Sequence, residues 1–550
     1  MCGIVGVISR KNARDYEKMV RKALFKISHR GADDKSIYID NNICFGYVRL
    51  AIRGLKSKYN QPIYFDNTIS YGNGEVYSIK NRKVSRKEND LKPLIVNILR
   101  NKEKIYEYVD ADFAVCIYDK KNSKVVLARD FFGVKPLYYC WIDDDTLVFS
   151  SELKGLKEIV NLNTINEQTV IDYLIFGYPI GNKTFYKNVY CLPAKTIFEW
   201  DLKSNVKNYF SGSNDYIKYT KRNTNIYYAI KKSVNNRMIS DRKVGAHLSG
   251  GYDSSLISYI SRDKIDYITA YNSLEDKDLM VSNIITDDIK ARHTIIRLNT
   301  NIDYEELIDI LSSPMMSTGI FVPYEISRVS SLYNKKVLLA GQGADELFLG
   351  YKRFDEIKNI SKYTEVLNIV SNSDLDMLSK LFNGFCFRDK YVDVFKSNNI
   401  LKTTQLFYIE NFLAELLHIE DCMHMNFGIE NRVPFLSLEI IKYIKKYGIC
   451  ISNKQNKNEI YNANKTCNSK ALIRNSKENM NRDLLIELKK IDYSNFFKIR
   501  VFDNFNYRLF SNYLNRMDKL NKKQLFTIWF IYNIYLWYKI NEFDYKIRMV

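Results

Sequence analysis

The chain has 550 residues, of which 46% are hydrophobic and 14% aromatic, so it carries enough apolar side chains for more than one packed core. This composition excludes a globally disordered protein. Lysine and arginine (83) outnumber aspartate and glutamate (63), which gives a net charge of +20, but the basic residues are spread along the whole chain. A general basic bias explains the charge better than a nucleic-acid partner, and we expect no nucleic-acid binding.

The cysteine and histidine usage favours a reducing compartment. Nine cysteines without a CxxC pair are typical of free thiols, and five histidines argue against a zinc site, so a metal would sit on carboxylates. The longest apolar stretch, Leu525–Tyr538, is shorter than the ~20 residues of a membrane span and predicts a buried helix. The first residues do not have the pattern of a secretory signal. We therefore expect a cytoplasmic protein with no membrane partner.

Short apolar runs, broken by turn residues, fill the first 200 residues and predict antiparallel strands. The predicted strands are Ile43–Leu50, Phe113–Tyr118, Val125–Ala128, Leu137–Tyr139 and Thr146–Phe149. Lys203–Asn225 is rich in Asn, Ser, Lys and Tyr and predicts a linker. It would separate a domain at 1–202 from a second at 226–550.

Beyond the linker, strands and helices alternate, which predicts a parallel sheet covered by helices. The predicted elements are the strands Val244–Leu248, Tyr267–Tyr271 and Val337–Ala340 and the helix Ser254–Ser261. After about residue 362 helical spacing dominates, as in Thr404–Leu417 and Leu485–Lys489. Between these helices, the Lys- and Asn-rich segment Asn453–Asn468 predicts a mobile region.

Cys2 becomes the first residue once the initiator methionine is removed, as is usual before a small side chain. Its α-amine then lies beside the thiol and, with an ordinary pKa of about 7.7–8.0, can take the thiol proton without a histidine. A single cysteine is more often buried and inert, so the hypothesis depends on the motifs that accompany it.

Six segments carry those motifs. They are Cys2–Gly6, His29–Asp33, Arg49–Ile52, Asn60–Pro62, Asn73–Tyr77 and Arg129–Tyr138. Together they resemble the class II glutamine amidotransferase domain of the N-terminal nucleophile hydrolases. The resemblance implies an αββα sandwich, two sheets covered by helices on both outer sides, that hydrolyses glutamine at Cys2.

The same resemblance implies roles for the residues around the thiol. The Asn73 side-chain amide and the Gly74 N–H would form the oxyanion hole, since a tetrahedral oxyanion needs hydrogen-bond donors. Arg49 would hold the glutamine carboxylate as a bidentate fork, and Glu75 and Asp90 would hold its ammonium group.

Three residues beside these positions depart from the family pattern. Tyr47 stands where many relatives have His, Ala32 replaces Pro, and Ser78 follows Tyr77 where Asn is usual. We expect altered packing at these positions rather than lost hydrolysis.

A glycine-rich loop, Ser249–Ser255 (SGGYDSS), follows the predicted strand Val244–Leu248. Glycines let the backbone approach an anion, serine hydroxyls and N–H groups cradle phosphate, and the following helix adds its dipole. The loop resembles the PP-loop of ATP pyrophosphatases, which cleave ATP between the α and β phosphates. The implied ATP-binding residues are Leu248, Ser249, Gly250, Gly251, Asp253, Ser254, Ser255, Ala270, Ala340 and Gly341.

Leu338–Tyr351 resembles the second ATP motif of asparagine synthetases. The paired motifs imply that Asp253 and Asp345 are oxygen ligands for Mg²⁺ on the pyrophosphate group. Further segments that match this family are Asp421–Met425, Glu430–Leu436 and Ser469–Arg474. The last of them implies that Lys470 is the catalytic lysine, the cation that stabilises charge when an acyl-adenylate forms.

Two residues of this half depart from the asparagine synthetase pattern. Gln342 stands where these enzymes commonly have Glu, and Ser437 replaces the usual Asp after Pro-Phe-Leu. A carboxylate at position 342 could accept a proton from attacking ammonia, whereas a neutral amide cannot act as a general base. The acceptor and the amide-forming step are therefore open.

The predicted fold class combines α+β and α/β: the N-terminal αββα sandwich, then a parallel-sheet PP-loop domain with a largely helical C-terminal part. The resemblance implies a glutamine-dependent asparagine synthetase, a carbon–nitrogen ligase that uses ATP and Mg²⁺ and passes ammonia between its domains. Its products would be asparagine, AMP, pyrophosphate and glutamate. Small molecules are the implied partners, and a homodimer is an open alternative to a monomer.

Three alternatives stay open. The chain could amidate another carboxylate, such as a sugar acid or a peptide side chain. It could be a basic binding protein on a decayed enzyme scaffold, which predicts no glutaminase activity. A sugar-phosphate or nucleotide-precursor amidotransferase is disfavoured, because those enzymes share only the first domain and lack the ATP loop.

Overall fold

Two antiparallel sheets form the N-terminal domain of the computed structural model, which describes residues 2–84, 89–222, 224–299, 302–388, 390–451, 457–473 and 483–549. Their strands are β1 (Cys2–Ser9), β2 (Asp34–Ile39), β3 (Ile43–Arg49), β4 (Ile63–Phe65), β5 (Thr68–Ile79), β6 (Arg82–Lys83), β7 (Val109–Asp119), β8 (Lys124–Arg129), β9 (Tyr138–Asp143), β10 (Thr146–Ser150), β11 (Val189–Cys191), β12 (Thr196–Asp201) and β13 (Lys207–Ser211). One sheet has the order β11-β9-β10-β1-β3-β2 and the other β13-β12-β8-β7-β5-β4, with β6 paired to β5.

Alternation along the central strand β1 shows why two layers of helix cover the sheets. Ile4 and Ile8 point into the core between the sheets, whereas Val5 and Val7 pack on the opposite side, against helix α1 (Glu17–Lys26). Successive side chains of a strand point to opposite faces, so a strand that is apolar at every position needs cover on both.

Helix α2 (Leu91–Asn101) covers the second sheet in the same way, and α3 (Leu153–Lys157) packs beside α1. A fourth helix, α4 (Glu167–Phe176), leads towards the rest of the chain. The predicted αββα sandwich and its antiparallel strands are confirmed. The sandwich also reaches into the segment predicted as a linker, because β13 pairs with β12 at the edge of the second sheet.

A five-stranded parallel sheet organises the second half. Its strands are β15 (Val244–His247), β16 (Asp266–Tyr271), β17 (His293–Arg297), β18 (Val337–Leu339) and β19 (Glu430–Arg432); a small separate pair consists of β14 (Tyr219–Thr220) and β20 (Ile449–Cys450). The order is β17-β16-β15-β18-β19, with Ala246 of β15 opposite Leu339 of β18. The carboxyl ends of β15 and β18 are therefore neighbours, which brings the two ATP motifs together. The predicted parallel α/β domain is confirmed.

Helices cover this sheet and form most of the C-terminal part. They are α5 (Tyr227–Arg237), α6 (Tyr252–Ser261), α7 (Lys277–Asp288), α8 (Tyr304–Leu311), α9 (Phe321–Leu332), α10 (Ala344–Leu347), α11 (Lys352–Lys358), α12 (Val366–Val370), α13 (Leu375–Leu381), α14 (Ile400–Phe407), α15 (Leu413–Met425), α16 (Leu438–Tyr447), α17 (Asn458–Thr466), α18 (Leu484–Lys489), α19 (Ser494–Lys498), α20 (Tyr507–Leu514) and α21 (Lys522–Ile540). A π-helical segment, Tyr408–Phe412, joins α14 to α15.

The helical predictions are confirmed, and one segment that was predicted to be mobile is largely helical. The apolar stretch in 525–538 lies inside α21, where Trp529 and Trp537 are fully buried. In the described ranges no helix has the length and apolar character to span a bilayer. The segment predicted as mobile contains α17, whose Ile460 and Ala463 are fully buried, so most of it is a packed helix; its residues 453–456 lie outside the described residues.

Candidate active sites

The start of β1 places Cys2 in a small cavity of the first domain. Cys2 pairs in register with Arg49 at the end of β3, and its backbone N–H donates to Asn73 Oδ1 at 3.0 Å. The cavity has a volume of about 260 Å³. Its lining includes Cys2, Tyr47, Arg49, Leu50, Ile52, Arg53, Gly74, Glu75 and Asp90. The thiol thus lines one cavity with four of the predicted glutamine-binding residues, while the fifth, Asn73, is fully buried and contacts the Cys2 backbone.

The side-chain amide of Asn73 contacts Cys2 and also carries a hydrogen-bond donor, Nδ2. Its side chain is fully buried, and among the described residues its Nδ2 has no hydrogen-bond partner. A buried donor without a partner is costly, and functional sites are a common reason for one. The amide geometry therefore suits the predicted oxyanion hole.

Tyr47 touches the nucleophile directly. The Cys2 thiol donates to Tyr47 Oη at 3.3 Å, and burial together with the neighbouring thiol raises the pKa of Tyr47 well above its usual range. The tyrosine stays protonated and can donate a hydrogen bond to a thiolate. This departure from the family pattern bears on the nucleophile as well as on packing.

Arg49 is fixed by the loop that follows β3. Its Nη1 donates to Asn60 Oδ1 at 2.5 Å and its Nη2 donates to the Gly54 carbonyl. Only 5% of its surface is exposed. These contacts fix the side chain on the cavity wall, and its role as a bidentate fork for the substrate carboxylate stays a prediction.

Arg53 lies between the two carboxylates predicted to bind ammonium. Its Nη1 is 2.5 Å from Glu75 Oε1 and 3.9 Å from Asp90 Oδ2, while Asp90 Oδ2 accepts the Val76 N–H at 2.8 Å. Glu75 Oε2 is also 3.1 Å from Nη2 of Arg432, in the second domain. Burial and the nearby Asp90 raise the pKa of Glu75 to about 8. The sequence analysis assigned no role to either arginine: Arg53 directly follows the segment Arg49–Ile52, and Arg432 lies in the matched segment Glu430–Leu436, but nothing in the sequence pairs them with Glu75.

The phosphate loop lies at the carboxyl end of β15. Gly250 has a φ of +65°, a conformation that favours glycine, and α6 begins two residues later. Ser249 Oγ and Ser254 Oγ are 3.1 Å apart, and Ser254 Oγ donates to the Gly251 carbonyl at 3.2 Å. These hydrogen bonds hold the loop together, and its hydroxyls and N–H groups lie at the N-terminus of α6.

A second cavity, of about 480 Å³, joins this loop to the second ATP motif. The predicted residues on its wall are Ser249, Gly251, Asp253, Ser254, Ala340, Gly341 and Asp345. Four other predicted ATP-binding residues, Leu248, Gly250, Ser255 and Ala270, are buried behind it. The two motifs therefore form one site.

Lys457 bridges the two motifs. Its ammonium Nζ lies 2.5 Å from Asp253 Oδ2 and 2.6 Å from Asp345 Oδ1, and these carboxylates raise its pKa despite burial. Two converging carboxylates suit a hard divalent cation, so the donor set fits the predicted Mg²⁺. Lys457 precedes α17, in the segment that the sequence predicted to be mobile, and the sequence analysis therefore missed it.

Lys470 lies elsewhere. It begins the 3-10 turn Lys470–Ile473, its backbone N–H donates to Tyr259 Oη at 3.0 Å, and its side chain is exposed. Within the described ranges its ammonium has no hydrogen bond or ion pair. The catalytic role of Lys470 stays a prediction, and Arg474 of the same motif lies outside the described residues.

The departure at Ser437 has a structural explanation. Ser437 is the N-cap of α16, and its Oγ accepts the Ile440 N–H at 3.4 Å. Serine and aspartate are both favoured N-caps, so the replacement keeps the role of the side chain.

An apolar cluster, which we call the seam cluster, packs residues of the first domain against residues of the second. It consists of Leu50, Ile52, Val337 and Met425, with Val244 packed against it. Leu50 and Ile52 line the first cavity, and the neighbours of Val337 and Met425 in sequence, Leu338 and His424, line the second. Beside it, the buried Arg30 binds Asp421 and Glu152 through Nη1, each at 2.7 Å.

A thiol at the start of β1 next to a buried amide donor, joined in one chain to a glycine-rich loop on a parallel sheet, is the arrangement expected of a two-site amidotransferase. Family models agree: one described as a glutamine amidotransferase domain matches residues 1–210, and one described as asparagine synthase matches residues 225–516. The chain belongs to the asparagine synthase family and is an ATP-dependent carbon–nitrogen ligase with glutamine as amido donor.

Curated relatives agree with this assignment. A Methanocaldococcus jannaschii protein provisionally named glutamine-hydrolysing asparagine synthetase 2 is 31% identical over 434 residues, which are 70% of this chain and 83% of that protein. Glutamine-hydrolysing asparagine synthetase 2 of Bacillus subtilis is 25% identical over 501 residues, which are 81% of this chain and 66% of that protein.

Proposed function

We propose that this protein is a glutamine-dependent asparagine synthetase, which converts aspartate, ATP and glutamine into asparagine, AMP, pyrophosphate and glutamate. The observation that carries the proposal is that one chain holds both a thiol cavity and a phosphate-loop cavity, with the apolar seam cluster packed between the two domains. An enzyme that performs either step alone would not need both cavities.

At the first site, the α-amine of Cys2 takes the thiol proton and the thiolate attacks the side-chain carbonyl of glutamine. Asn73 Nδ2 and the Gly74 N–H then donate to the oxyanion, and Arg49 holds the substrate carboxylate. Ammonia leaves, and water hydrolyses the thioester to glutamate. The Tyr47 hydroxyl supports the thiolate, since it already lies 3.3 Å from the sulfur.

At the second site, the loop Ser249–Ser255 binds the phosphates of ATP. Asp253 and Asp345 would hold Mg²⁺, which would neutralise charge on the phosphates when bound. Lys457 is the cation that we assign to the departing pyrophosphate, because its ammonium already lies between these carboxylates. An oxygen of the acceptor carboxylate attacks the α-phosphorus, pyrophosphate leaves, and an acyl-adenylate results.

Ammonia reaches the acyl-adenylate through the seam cluster. Apolar walls favour the neutral molecule over the ammonium ion, since burying an isolated charge is expensive. At the second site, exclusion of water protects the acyl-adenylate from hydrolysis before ammonia arrives. The free state of all nine cysteines supports a cytoplasmic location. A homodimer stays a prediction.

A second candidate function keeps this chemistry and changes the acceptor to another carboxylate, such as a sugar acid or a peptide side chain. Gln342 favours it, because the position that commonly carries Glu in asparagine synthetases has a neutral amide on the wall of the ATP cavity.

One assay separates the two candidates. The purified protein is incubated with glutamine, ATP and Mg²⁺, and pyrophosphate is measured with aspartate, with other carboxylates, and with no acceptor. Aspartate-dependent release of pyrophosphate, with asparagine found by mass spectrometry, is expected. Release that depends on another carboxylate and not on aspartate would select the second candidate.

A further inference from the structure

The ATP cavity needs a proton acceptor for the attacking nitrogen, and Gln342 cannot supply it. When ammonia adds to an acyl carbon, its nitrogen becomes positively charged and must lose a proton. The carboxylates on the cavity wall are Asp253, Asp278, Asp345, Glu346 and Glu420. A base for this step must be one that is not engaged with phosphate or metal.

Most of these carboxylates already bind another group or lie beside the phosphate loop. Asp253 and Asp345 bind Lys457. Glu346 is adjacent to Asp345, accepts a hydrogen bond from Tyr351 Oη at 2.5 Å and is fully buried, so it exposes no surface to an incoming nitrogen. Asp278 lies at the start of α7, next to the phosphate-loop glycines. The remaining carboxylate is Glu420, which lies on α15.

Glu420 lines the cavity and is held through one of its two oxygens. Its Oε2 accepts the Asn431 Nδ2–H at 3.0 Å and lies 3.3 Å from His424 Nδ1, which also lies 2.7 Å from the Glu420 carbonyl. Within the described residues Oε1 has no hydrogen-bond partner. The side chain is only 19% exposed, and that exposed part lies on the cavity wall. Asn431 thus orients the group and leaves one oxygen available.

The surroundings of Glu420 suit a base. Burial raises its pKa to about 7, and burial lowers the pKa of the adjacent His424 to about 4, so no cation from that imidazole holds the carboxylate ionised. A catalytic base works best when its pKa is near the working pH.

Glu420 also lies where the nitrogen arrives. Residues four apart share one face of a helix, which puts Glu420 and His424 of α15 together on the cavity wall. The next residue, Met425, belongs to the seam cluster and packs with Leu50 and Ile52 of the first domain. Met425 of the seam cluster and Glu420 therefore lie within two turns of each other on α15.

We propose that Glu420 is the general base of the amide-forming step, in place of the carboxylate that is absent at position 342. Nitrogen forms a bond to the acyl carbon, Glu420 Oε1 takes a proton from that nitrogen, and the bond from carbon to the AMP oxygen breaks. The products are the amide, AMP and one proton, which Glu420 returns to water. This inference rests on the proposed adenylation but not on the identity of the acceptor.

The test compares Glu420→Gln with Glu415→Gln. Glu415 is five residues earlier on α15, and burial raises its pKa to about 8, but it lines a different cavity between the domains. Two rates are measured: exchange of labelled pyrophosphate into ATP with the acceptor present, and amide formation from ammonium chloride, which bypasses Cys2. We expect Glu420→Gln to slow amide formation about 100-fold and to change exchange by less than about threefold. Glu415→Gln should change neither rate by more than about threefold.

A rescue variant sharpens the result. Adding Gln342→Glu to Glu420→Gln returns a carboxylate to the cavity wall, and at least about tenfold recovery of amide formation is expected. Amide formation by Glu420→Gln at the wild-type rate would overturn the inference, as would an equal loss of both rates. Failure of the proposed function looks different, because the wild-type enzyme would then show no acceptor-dependent exchange with any carboxylate.

Discussion

The two sites of this protein are built on different plans. The glutamine site is made almost entirely from neighbouring strands of one domain, with Cys2, Arg49 and Asn73 fixed by pairing register and short hydrogen bonds. The ATP site collects groups from the ends of β15 and β18, from α15 and from Lys457, which is 204 residues away from its partner Asp253. Strand register therefore positions the nucleophile of the first site, whereas an ion pair with a distant lysine holds the two motifs of the second.

The largest expected effect removes the first site alone. Cys2→Ala takes away the nucleophile, so glutamine hydrolysis should fall by about 10³-fold or more, while amide formation from ammonia stays within about twofold of wild type. Glutamate release and ammonia-driven amide formation are measured side by side. Cys386→Ser, at an exposed thiol, is the control and should change neither. Loss of both activities in Cys2→Ala would contradict the separation of the sites.

The next effect removes the long-range cation of the second site. Lys457→Met leaves Asp253 and Asp345 facing each other without a counter-charge and takes a cation from the phosphates, so pyrophosphate release should fall about 100-fold with glutamine hydrolysis unchanged. Lys470→Met is the matched variant, and we expect a smaller effect because its side chain is exposed. A larger loss in Lys470→Met would restore the role that the motif implies for Lys470.

The smallest effect concerns the connection between the sites. Met425→Gln puts a polar group into the seam cluster, so part of the ammonia should escape, and the ratio of glutamate to amide should rise about threefold. Both products are counted in one reaction, with Met19→Gln on the surface of the first domain as control. An unchanged ratio would mean that nitrogen takes another route.

The same contrast explains how far the sequence could be interpreted. Local signals are strong for the sandwich, because alternating apolar strands and the segments around Cys2, Arg49 and Asn73 each lie within a single element or turn. The phosphate loop was equally readable, since SGGYDSS follows a buried strand and opens a helix. The fold class and the two-domain order could therefore be predicted.

Long-range partners could not be predicted in this way. Lys457 stands among many lysines and asparagines, and its role appears only when α17 packs beside the loop. Arg53 and Arg432 meet Glu75 from different parts of the chain. Gln342 showed that a carboxylate was missing, but only the fold brings Glu420 to the same cavity. Charge partners that are distant in sequence carry no periodic pattern and no motif.

The short strand β19 carries a further consequence. Arg432 forms an ion pair with Glu75 of the glutamine cavity. The preceding residue, Asn431, donates a hydrogen bond to Glu420 of the ATP cavity. A change of charge at one carboxylate would therefore act on the strand that also positions the other. Thermodynamic linkage makes such an influence mutual. If bound glutamine raises the affinity for the acceptor, the bound acceptor must raise the affinity for glutamine by the same factor. Three residues of backbone would then let each half of the enzyme sense whether the other is loaded.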